Sequence, residues 1–319
     1  MIIIKDEIYN YLPIHINSIF ISKRLSLYTS LEASKIKAIF ININKDDIYI
    51  LDFYGLKDIV TSASIKELIK GAKSRRIIFI NMPDSLIYQV LIESKIFKLK
   101  ENINREKYIV TKDSLQLPDN TIYKKFNYLK KYLINCLKEN AIYGAEYLKS
   151  SNVYSNYFFD LKNMFYDINF LQITVYLISQ YIFELNKHYF EKDGKKLKLI
   201  TSNFNSSIVA NLVAMIMKME HISVLHIGPD KNEEDNRFID EIERNDKFIY
   251  IYDFIGLGNE QRKIKTILRI KEAEIYKAIG IAYYKIYEED ESNIMQILDL
   301  KDAGIIMKCT SEKEDIKKL

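Results

Sequence analysis

Short apolar runs alternate with longer segments of helical periodicity along the whole chain. In the first third, apolar runs predict strands at residues 18–21, 48–53 and 77–81, while residues 31–43 and 62–72 have the periodicity of amphipathic helices. The predicted order is β-α-β-α-β. Strands that alternate with helices are typical of α/β domains with substantially parallel sheets.

The remainder of the chain continues this alternation. Residues 122–148 and 168–189 are predicted to be helical, and residues 149–160 between them to be irregular. A further helix is predicted at 208–218. Buried strands are predicted around it and after it, at residues 197–201, 223–227, 248–252 and 278–284, with a candidate fifth at 305–308.

A polar segment separates the two parts of the chain. Residues 112–120 contain Pro118 and few apolar positions, which is typical of a linker. A chain of 319 residues is long enough for two ordinary domains. We therefore predict one domain at 1–117 and a second at 118–319.

Composition and charge restrict the classes of function. The net charge of +4 comes from 47 basic and 43 acidic residues that are well mixed, so no clear nucleic-acid-binding face is indicated. The N-terminus has acids and a proline inside its apolar stretch, unlike a signal peptide, and the apolar stretch at 170–185 is too short to span a bilayer. We expect a cytoplasmic protein with no membrane segment; the oligomeric state is not indicated.

Cysteine and histidine positions do not predict a metal centre. Cys136 and Cys309 lie far apart, no CxxC pair is present, and the four histidines are scattered. We expect reduced thiols and no protein-held metal ion. An acidic run at 233–235 is better explained as a solvated loop than as a divalent-cation site.

The segment at 247–263 carries the most chemistry. It consists of an apolar strand, an acid, a small loop with two glycines and a polar helix start. The free N–H groups and the dipole of a helix N-terminus favour phosphate binding at such a position. A simple tight turn is the alternative explanation for the glycines.

This segment resembles the phosphoribosyl pyrophosphate (PRPP) motif of type I phosphoribosyltransferases. The resemblance places Tyr252 and Asp253 on the acid pair that holds the ribose hydroxyls, which makes Asp253 a candidate catalytic residue. It implies that the 5′-phosphate loop consists of Gly256, Leu257, Gly258, Asn259 and Glu260. Tyr252 replaces an acid, Gly256 and Leu257 replace hydroxyl residues, and the negative charge of Glu260 opposes phosphate binding.

Residues 148–165 resemble the N-terminal signature of orotate phosphoribosyltransferases. Leu148, Lys149 and Ser150 match its start, and the aromatic pair Phe158 and Phe159 matches its end. The resemblance implies that Lys149 contacts pyrophosphate and that the aromatic pair packs near the base. The alternative is a lysine-bearing turn followed by core aromatics.

The same resemblance places two further anion-binding loops. The pyrophosphate loop falls at 201–207, where Ser206 and Ser207 are candidate ligand contacts, although capping of the following helix also explains both serines. The mobile loop that is basic in orotate enzymes corresponds to 226–244, which is net acidic here. A loop that covers pyrophosphate should carry positive charge.

The first domain resembles a STAS-like domain, the fold of anti-sigma-factor antagonists. Leu51, Asp52 and Phe53 match the strand end of that family, and Thr61 or Ser62 falls at its regulatory phosphorylation site. A phosphate there would be stabilised by the helix N-terminus. Helix capping is the alternative role of Thr61 and Ser62. The resemblance implies a protein partner for this domain.

Together these features predict an α/β protein with a small STAS-like domain and a phosphoribosyltransferase-like domain whose sheet is mainly parallel. We expect a regulatory or defence-associated protein, similar to phosphoribosyltransferase-like domains of phage-defence systems, that binds a nucleotide or phosphosugar without efficient turnover; no cofactor is indicated, except Mg²⁺ if PRPP is bound. The alternatives are an active transferase that uses Mg-PRPP and a nucleobase such as a pyrimidine, and a scaffold that binds only proteins.

Overall fold

The computed structural model describes most of the chain in two compact units. The described residues are 1–5, 9–21, 31–54, 56, 62–101, 107–116, 127–148, 153–159, 161–193, 197–224, 241–255, 259–283, 294–300 and 309–310. The units span Met1–Leu129 and Lys130–Leu319. The predicted domain boundary at residue 118 stays a prediction.

The first unit contains a six-stranded mixed sheet in the order β1-β2-β3-β4-β6-β5. Strands β2, β3 and β4 are parallel, whereas β1, β5 and β6 pair in antiparallel fashion. Its elements are β1 (Ile4–Lys5), β2 (Asn10–Pro13), α1 (Ile14–Ile21), α2 (Ala33–Ile41), β3 (Ile48–Asp52), α3 (Ser62–Ala72), β4 (Arg76–Ile80), α4 (Asp84–Glu93), β5 (Lys98–Glu101) and β6 (Lys107–Val110).

The strand predicted at 18–21 is wrong, because these residues form the end of helix α1. The segment is apolar throughout, and a short continuous apolar run does not distinguish a buried strand from a buried helix. Tertiary contacts of α1 decide that this segment is helical. Asn17 accepts a hydrogen bond from the Ile2 amide at 2.7 Å and donates to the carbonyl of Ile2 at 3.1 Å, which ties α1 to the chain's first residues.

Helices α2 and α3 approach each other closely at a glycine. A Cβ atom on Gly71 would lie 2.2 Å from the Phe40 ring. Arg75 extends from the end of α3 across this contact, donating to the carbonyls of Gly71 and Phe40 at 2.6 and 2.8 Å. The glycine therefore allows Phe40 to fill the core of the first unit.

The second unit contains a five-stranded sheet and a separate three-stranded sheet. Helix α5 (Asn127–Glu139) crosses the division between the units. The other elements are β7 (Ala141–Leu148), β8 (Val153–Phe159), α6 (Leu161–Met164), α7 (Ile168–Asp193), β9 (Lys198–Thr201), α8 (Phe204–Met217), β10 (His221–Ser223), β11 (Lys247–Ile255), α9 (Asn259–Ile270), β12 (Glu274–Tyr283), β13 (Ile294–Asp299) and β14 (Cys309–Thr310).

The five-stranded sheet is parallel throughout, with strand order β10-β9-β11-β12-β13. The chain moves outward from β9 to β10 and then returns to β11 on the other side of β9. Strand order therefore reverses between β9 and β11, and ligands of open α/β sheets bind outside the carboxyl ends of the strands at such a point. Helix α8 packs against both strands.

The sequence pattern predicted strands β9, β11 and β12 of this sheet and overlapped β10 only at Ser223, and it missed the three-stranded sheet. The expectation that residues 141–148 are helical and that 153–159 are irregular is wrong, because these segments form the antiparallel pair β7 and β8. Strand β13 was not predicted, and the candidate strand at 305–308 lies outside the described residues. Pairing with a neighbouring strand, which periodicity does not show, decided these segments.

A continuous apolar cluster fills the centre of the five-stranded sheet, and it includes Phe248, Tyr250, Ile264 and Leu268. It packs helix α9 against the strands that end at the reversal point. In the described part of the chain, no helix combines the length and hydrophobicity required to cross a bilayer.

Candidate functional site at the carboxyl edge of the parallel sheet

Asn203 begins helix α8 directly after strand β9. Its backbone is extended, with φ −146° and ψ 168°, and its side-chain oxygen accepts a hydrogen bond from the Ser206 amide at 2.9 Å. Asparagine is a favoured N-cap because this bond satisfies an amide that the helix leaves without a partner. The cap fixes the Asn203 side chain at the carboxyl edge of the sheet.

Two amides of this helix start hold Asp253, which lies near the end of β11. Asn203 Nδ2 donates to Asp253 Oδ1 at 3.0 Å, and Asn205 Nδ2 donates to Asp253 Oδ2 at 3.3 Å. The loop after β9 and the end of β11 therefore meet at the point where the strand order reverses. The contacts bring together groups that accept and donate hydrogen bonds, as recognition of a polyhydroxyl ligand requires.

A second carboxylate, Glu260, joins the same network from the first turn of α9. Its Oε2 accepts from Ser202 Oγ at 2.9 Å and from Asn203 Nδ2 at 3.3 Å. Ser202 also contacts Tyr250 Oη at 2.6 Å. Because the single hydroxyl proton of Ser202 is directed to Glu260, Tyr250 donates to Ser202. Burial raises the pKa of Tyr250, and the nearby carboxylates add to this effect, so that Tyr250 stays protonated and able to donate.

Hydroxyl groups beneath this edge connect β9, β10 and α8. Thr201 Oγ1 lies 2.8 Å from Ser207 Oγ and 2.9 Å from His221 Nε2, and Ser207 Oγ lies 2.7 Å from Ser223 Oγ. His221 Nδ1 lies 2.9 Å from Asn211 Oδ1. Burial lowers the pKa of His221, which favours its neutral form. Thr201 is completely buried, so this network positions the start of α8 and does not face a ligand.

The structure places some of the predicted site residues together and separates others. Asp253 is part of the polar cluster. The side chain of Tyr252 is 1% exposed and packs on Tyr250 with ring centroids 5.6 Å apart, so that it contributes to the core. Ser206 and Ser207 are buried inside the first turns of α8, which begins at Phe204 rather than at the predicted residue 208. Their hydroxyls donate to the Asn203 carbonyl, and the predicted capping role is wrong because Asn203 is the N-cap.

Other predicted residues lie elsewhere or outside the described residues. Phe159 is 8% exposed and stacks on Tyr157 in the three-stranded sheet. Ser62 is an exposed residue at the first position of α3. Outside the described residues or side chains lie Thr61, Lys149, Phe158, Gly256, Leu257, Gly258 and the Asn259 side chain. Their predicted roles stay predictions.

The predicted anion-binding loop at 201–207 contains three further members of the cluster, Ser202, Asn203 and Asn205, which were not singled out as contacts. Their position directly after a predicted buried strand was the available signal, because polar residues at the carboxyl ends of parallel strands converge. Glu260 was recognised as a charge that opposes phosphate. Its hydrogen bonds to the loop after β9 depend on tertiary structure.

A shallow depression of about 540 Å³ lies at the opposite, amino edge of β11 and β12, against the end of α9. Its charged lining residues carry both signs, with Lys265 and Arg269 beside Glu272 and Glu274. This mixture does not select a charged ligand. No group of three histidine, cysteine or acidic side chains is arranged to hold a metal ion within the described segments.

No protein-family model matches the chain, and no curated protein matches it. Structural similarity to type I phosphoribosyltransferases extends over about half of the chain. A phosphoribosyltransferase from Corynebacterium diphtheriae matches with a TM-score of 0.39 and 14% identity, covering 55% of this chain and 98% of that one. Orotate phosphoribosyltransferase from Aeropyrum pernix gives a TM-score of 0.36, 14% identity and coverages of 54% and 96%.

A longer match is to UMP synthase from Leishmania donovani, with a TM-score of 0.40 and 12% identity. It covers 90% of this chain, which in turn spans 58% of that protein. Similarity at this level assigns no activity to the chain.

Proposed function

We propose that the carboxyl edge of the five-stranded sheet binds the ribose of a nucleotide or phosphosugar, and that the chain does not transfer the ribosyl phosphate efficiently. One observation carries the proposal: Asn203 and Asn205, which follow β9, both donate to Asp253 on β11 at the strand-order reversal. This is the position at which open α/β sheets bind nucleotides, and an acidic residue commonly accepts from ribose hydroxyls there.

The chemistry of the cluster suits a pair of neighbouring hydroxyl groups. Each hydroxyl donates one hydrogen bond and accepts others, while a carboxylate accepts and an amide NH₂ donates. Asp253 and the two asparagines supply both kinds of group within one network. A ribose diol can therefore exchange with the amide–carboxylate hydrogen bonds without leaving a polar group unsatisfied.

The charge of the cluster supports binding without transfer. Asp253 and Glu260 are both carboxylates and share the amide of Asn203. Departure of pyrophosphate from a ribose places additional negative charge close to the site, and transferases stabilise such charge with cations or fixed donors. Glu260, which the resemblance places in the phosphate loop, raises the energy of that charge.

The proposal can be tested by calorimetric titration of the full chain with ribose 5-phosphate, uridine 5′-monophosphate and Mg-PRPP. We expect binding of at least one ribose compound, weakened about tenfold or more by Asp253→Asn, which keeps the shape of the side chain and removes its charge. Asp113→Asn, at an exposed position of the first unit, is the matched control. Absence of binding by all three compounds would contradict the proposal.

The alternative of an active transferase predicts a different result in the same preparation. Mg²⁺ would then enter with PRPP, and the oxygen ligands of Asp253 and Glu260 are of the type that Mg²⁺ prefers. Release of pyrophosphate from Mg-PRPP with orotate or uracil, abolished by Asp253→Asn, would favour this alternative. We further propose that the first unit is STAS-like and that the protein has a regulatory or phage-defence role. Capture of a protein partner by the first unit tests this role. Mapping of phosphorylated residues tests whether Thr61 or Ser62 is modified.

A further inference from the structure

Glu260 is an acidic residue in the first turn of α9. It is the second residue of the helix, and the first turn of a helix has amide groups without internal partners and a partial positive charge. Phosphate groups bind at such ends for this reason. Here the chain supplies its own negative charge to that end.

The carboxylate of Glu260 is directed toward the ribose site by two hydrogen bonds. Ser202 Oγ and Asn203 Nδ2 both donate to the same oxygen, Oε2, at 2.9 and 3.3 Å. Asn203 also donates to Asp253 at 3.0 Å. One amide therefore joins the two carboxylates, and a ligand held by Asp253 lies within a few ångströms of the negative charge on Glu260.

Tyr250 supports this orientation from below. It donates to Ser202, whose own proton goes to Glu260, so the three groups form a directed chain from the core to the carboxylate. The tyrosine ring is 1% exposed and has little freedom to move. Such packing behind a polar side chain reduces its freedom to turn away from an approaching anion.

We propose that Glu260 is a specificity-determining residue of the ribose site and makes the phosphate-free nucleoside a better ligand than its 5′-monophosphate. The inference rests on the proposed function, since it concerns the same site. A phosphate that approaches the first turn of α9 meets a fixed carboxylate, and two negative charges a few ångströms apart repel each other by an amount that partial burial increases. A nucleotide remains a ligand, with lower affinity.

The test compares uridine with uridine 5′-monophosphate by calorimetry on the full chain. We expect the wild-type protein to bind the nucleoside about tenfold more tightly, which corresponds to about 1.4 kcal/mol. Glu260→Gln retains an oxygen that can accept from Ser202 and Asn203 but removes the charge, and it should reduce or reverse this preference. Glu93→Gln, which neutralises an exposed carboxylate at the end of α4, should leave the preference unchanged.

A second measurement needs no variant. Because the preference is electrostatic, added salt should weaken the repulsion of the monophosphate. The difference in affinity of the wild-type protein for uridine and its 5′-monophosphate should then decrease. An unchanged preference in a folded Glu260→Gln protein, or a wild-type preference for the monophosphate, would overturn the role of Glu260 while leaving Asp253-dependent binding intact. Failure of both ligands to bind would instead remove the proposed function.

Discussion

Tyr252 of β11 lies directly across from Gly280 of β12, and the tyrosine ring covers the glycine. The two residues are register partners in the parallel sheet. A Cβ atom on Gly280 would lie 2.3 Å from Tyr252 Cε2, a distance that does not occur between real atoms of this kind. The side chain at the motif's first acid position is therefore a core ring, accommodated by the absence of a side chain on the next strand.

Gly280→Ala should destabilise the second unit by about 1–3 kcal/mol, because the added methyl forces the Tyr252 ring out of its packed position. Urea unfolding followed by circular dichroism measures the change. Gly144→Ala is the matched control, since a Cβ at Gly144 has no atom within 4 Å. Equal stability of the two variants would contradict the packing argument.

Mutations of Asn203 should distinguish its role as the N-cap of α8 from its role in ligand binding. Asn203→Ala should cost about 1 kcal/mol of unfolding free energy because it removes the cap of α8, and it should also weaken ligand binding. Asn203→Ser should recover most of the stability but not the binding, since serine caps the helix but lacks the amide that reaches Asp253.

Asn205→Ala completes that comparison. Its side chain donates to Asp253 and does not serve as the N-cap, which is Asn203. We expect reduced affinity for ribose compounds with a smaller loss of stability than in Asn203→Ala. Thermal unfolding and calorimetry of the same samples give both quantities. A larger loss of stability in Asn205→Ala than in Asn203→Ala would contradict the assignment of Asn203 as the N-cap.

Phe204 should contribute to binding of the nucleobase rather than of the ribose. It is 61% exposed and lies between Asn203 and Asn205 in sequence, at the first position of α8. Aromatic rings stack on nucleobases with about 1–3 kcal/mol of binding energy per base. Phe204→Ala should therefore weaken uridine binding about tenfold and leave ribose 5-phosphate affinity nearly unchanged. Equal losses for both ligands would exclude stacking.

The first unit should lose stability as the pH rises, because of Asp52. This carboxyl group is 8% exposed at the end of β3 and accepts from Tyr11, the Tyr54 amide and Asn81. Burial raises its pKa, an effect that these three hydrogen bonds reduce but do not cancel. A raised pKa in the folded state means that the protonated form is favoured by folding.

The stabilising contribution of Asp52 is thus complete at pH values below its unfolded-state pKa and is lost as the pH rises through its folded-state pKa. Hydrogen exchange of the β3 amides over this range measures the effect within the full chain. Asp52→Asn, which cannot ionise, should show a flatter dependence. The same slope in both proteins would assign the pH dependence to other groups.

Several elements were predictable because their local signals agree with their tertiary environment. The helix at Ser62–Ala72 and the strand at Ile48–Asp52 have strong periodicity and clear ends, and the structure confirms both. Helix α1 and the hairpin of β7 and β8 were not predictable in this way. Their sequence patterns are compatible with more than one secondary structure, and only the contacts each segment makes with its neighbour decide between them.

The sequence by itself determined an α/β chain, a parallel sheet after residue 197 and an acid at the end of one of its strands. These follow from local periodicity and from the short range of turn and capping preferences. Only the tertiary structure decided that the asparagines after β9 reach Asp253, that Tyr252 turns into the core and that Glu260 bonds to Ser202 and Asn203. The physical reason is that strand order brings residues about fifty positions apart to one edge, and strand order is fixed by packing between elements rather than within them.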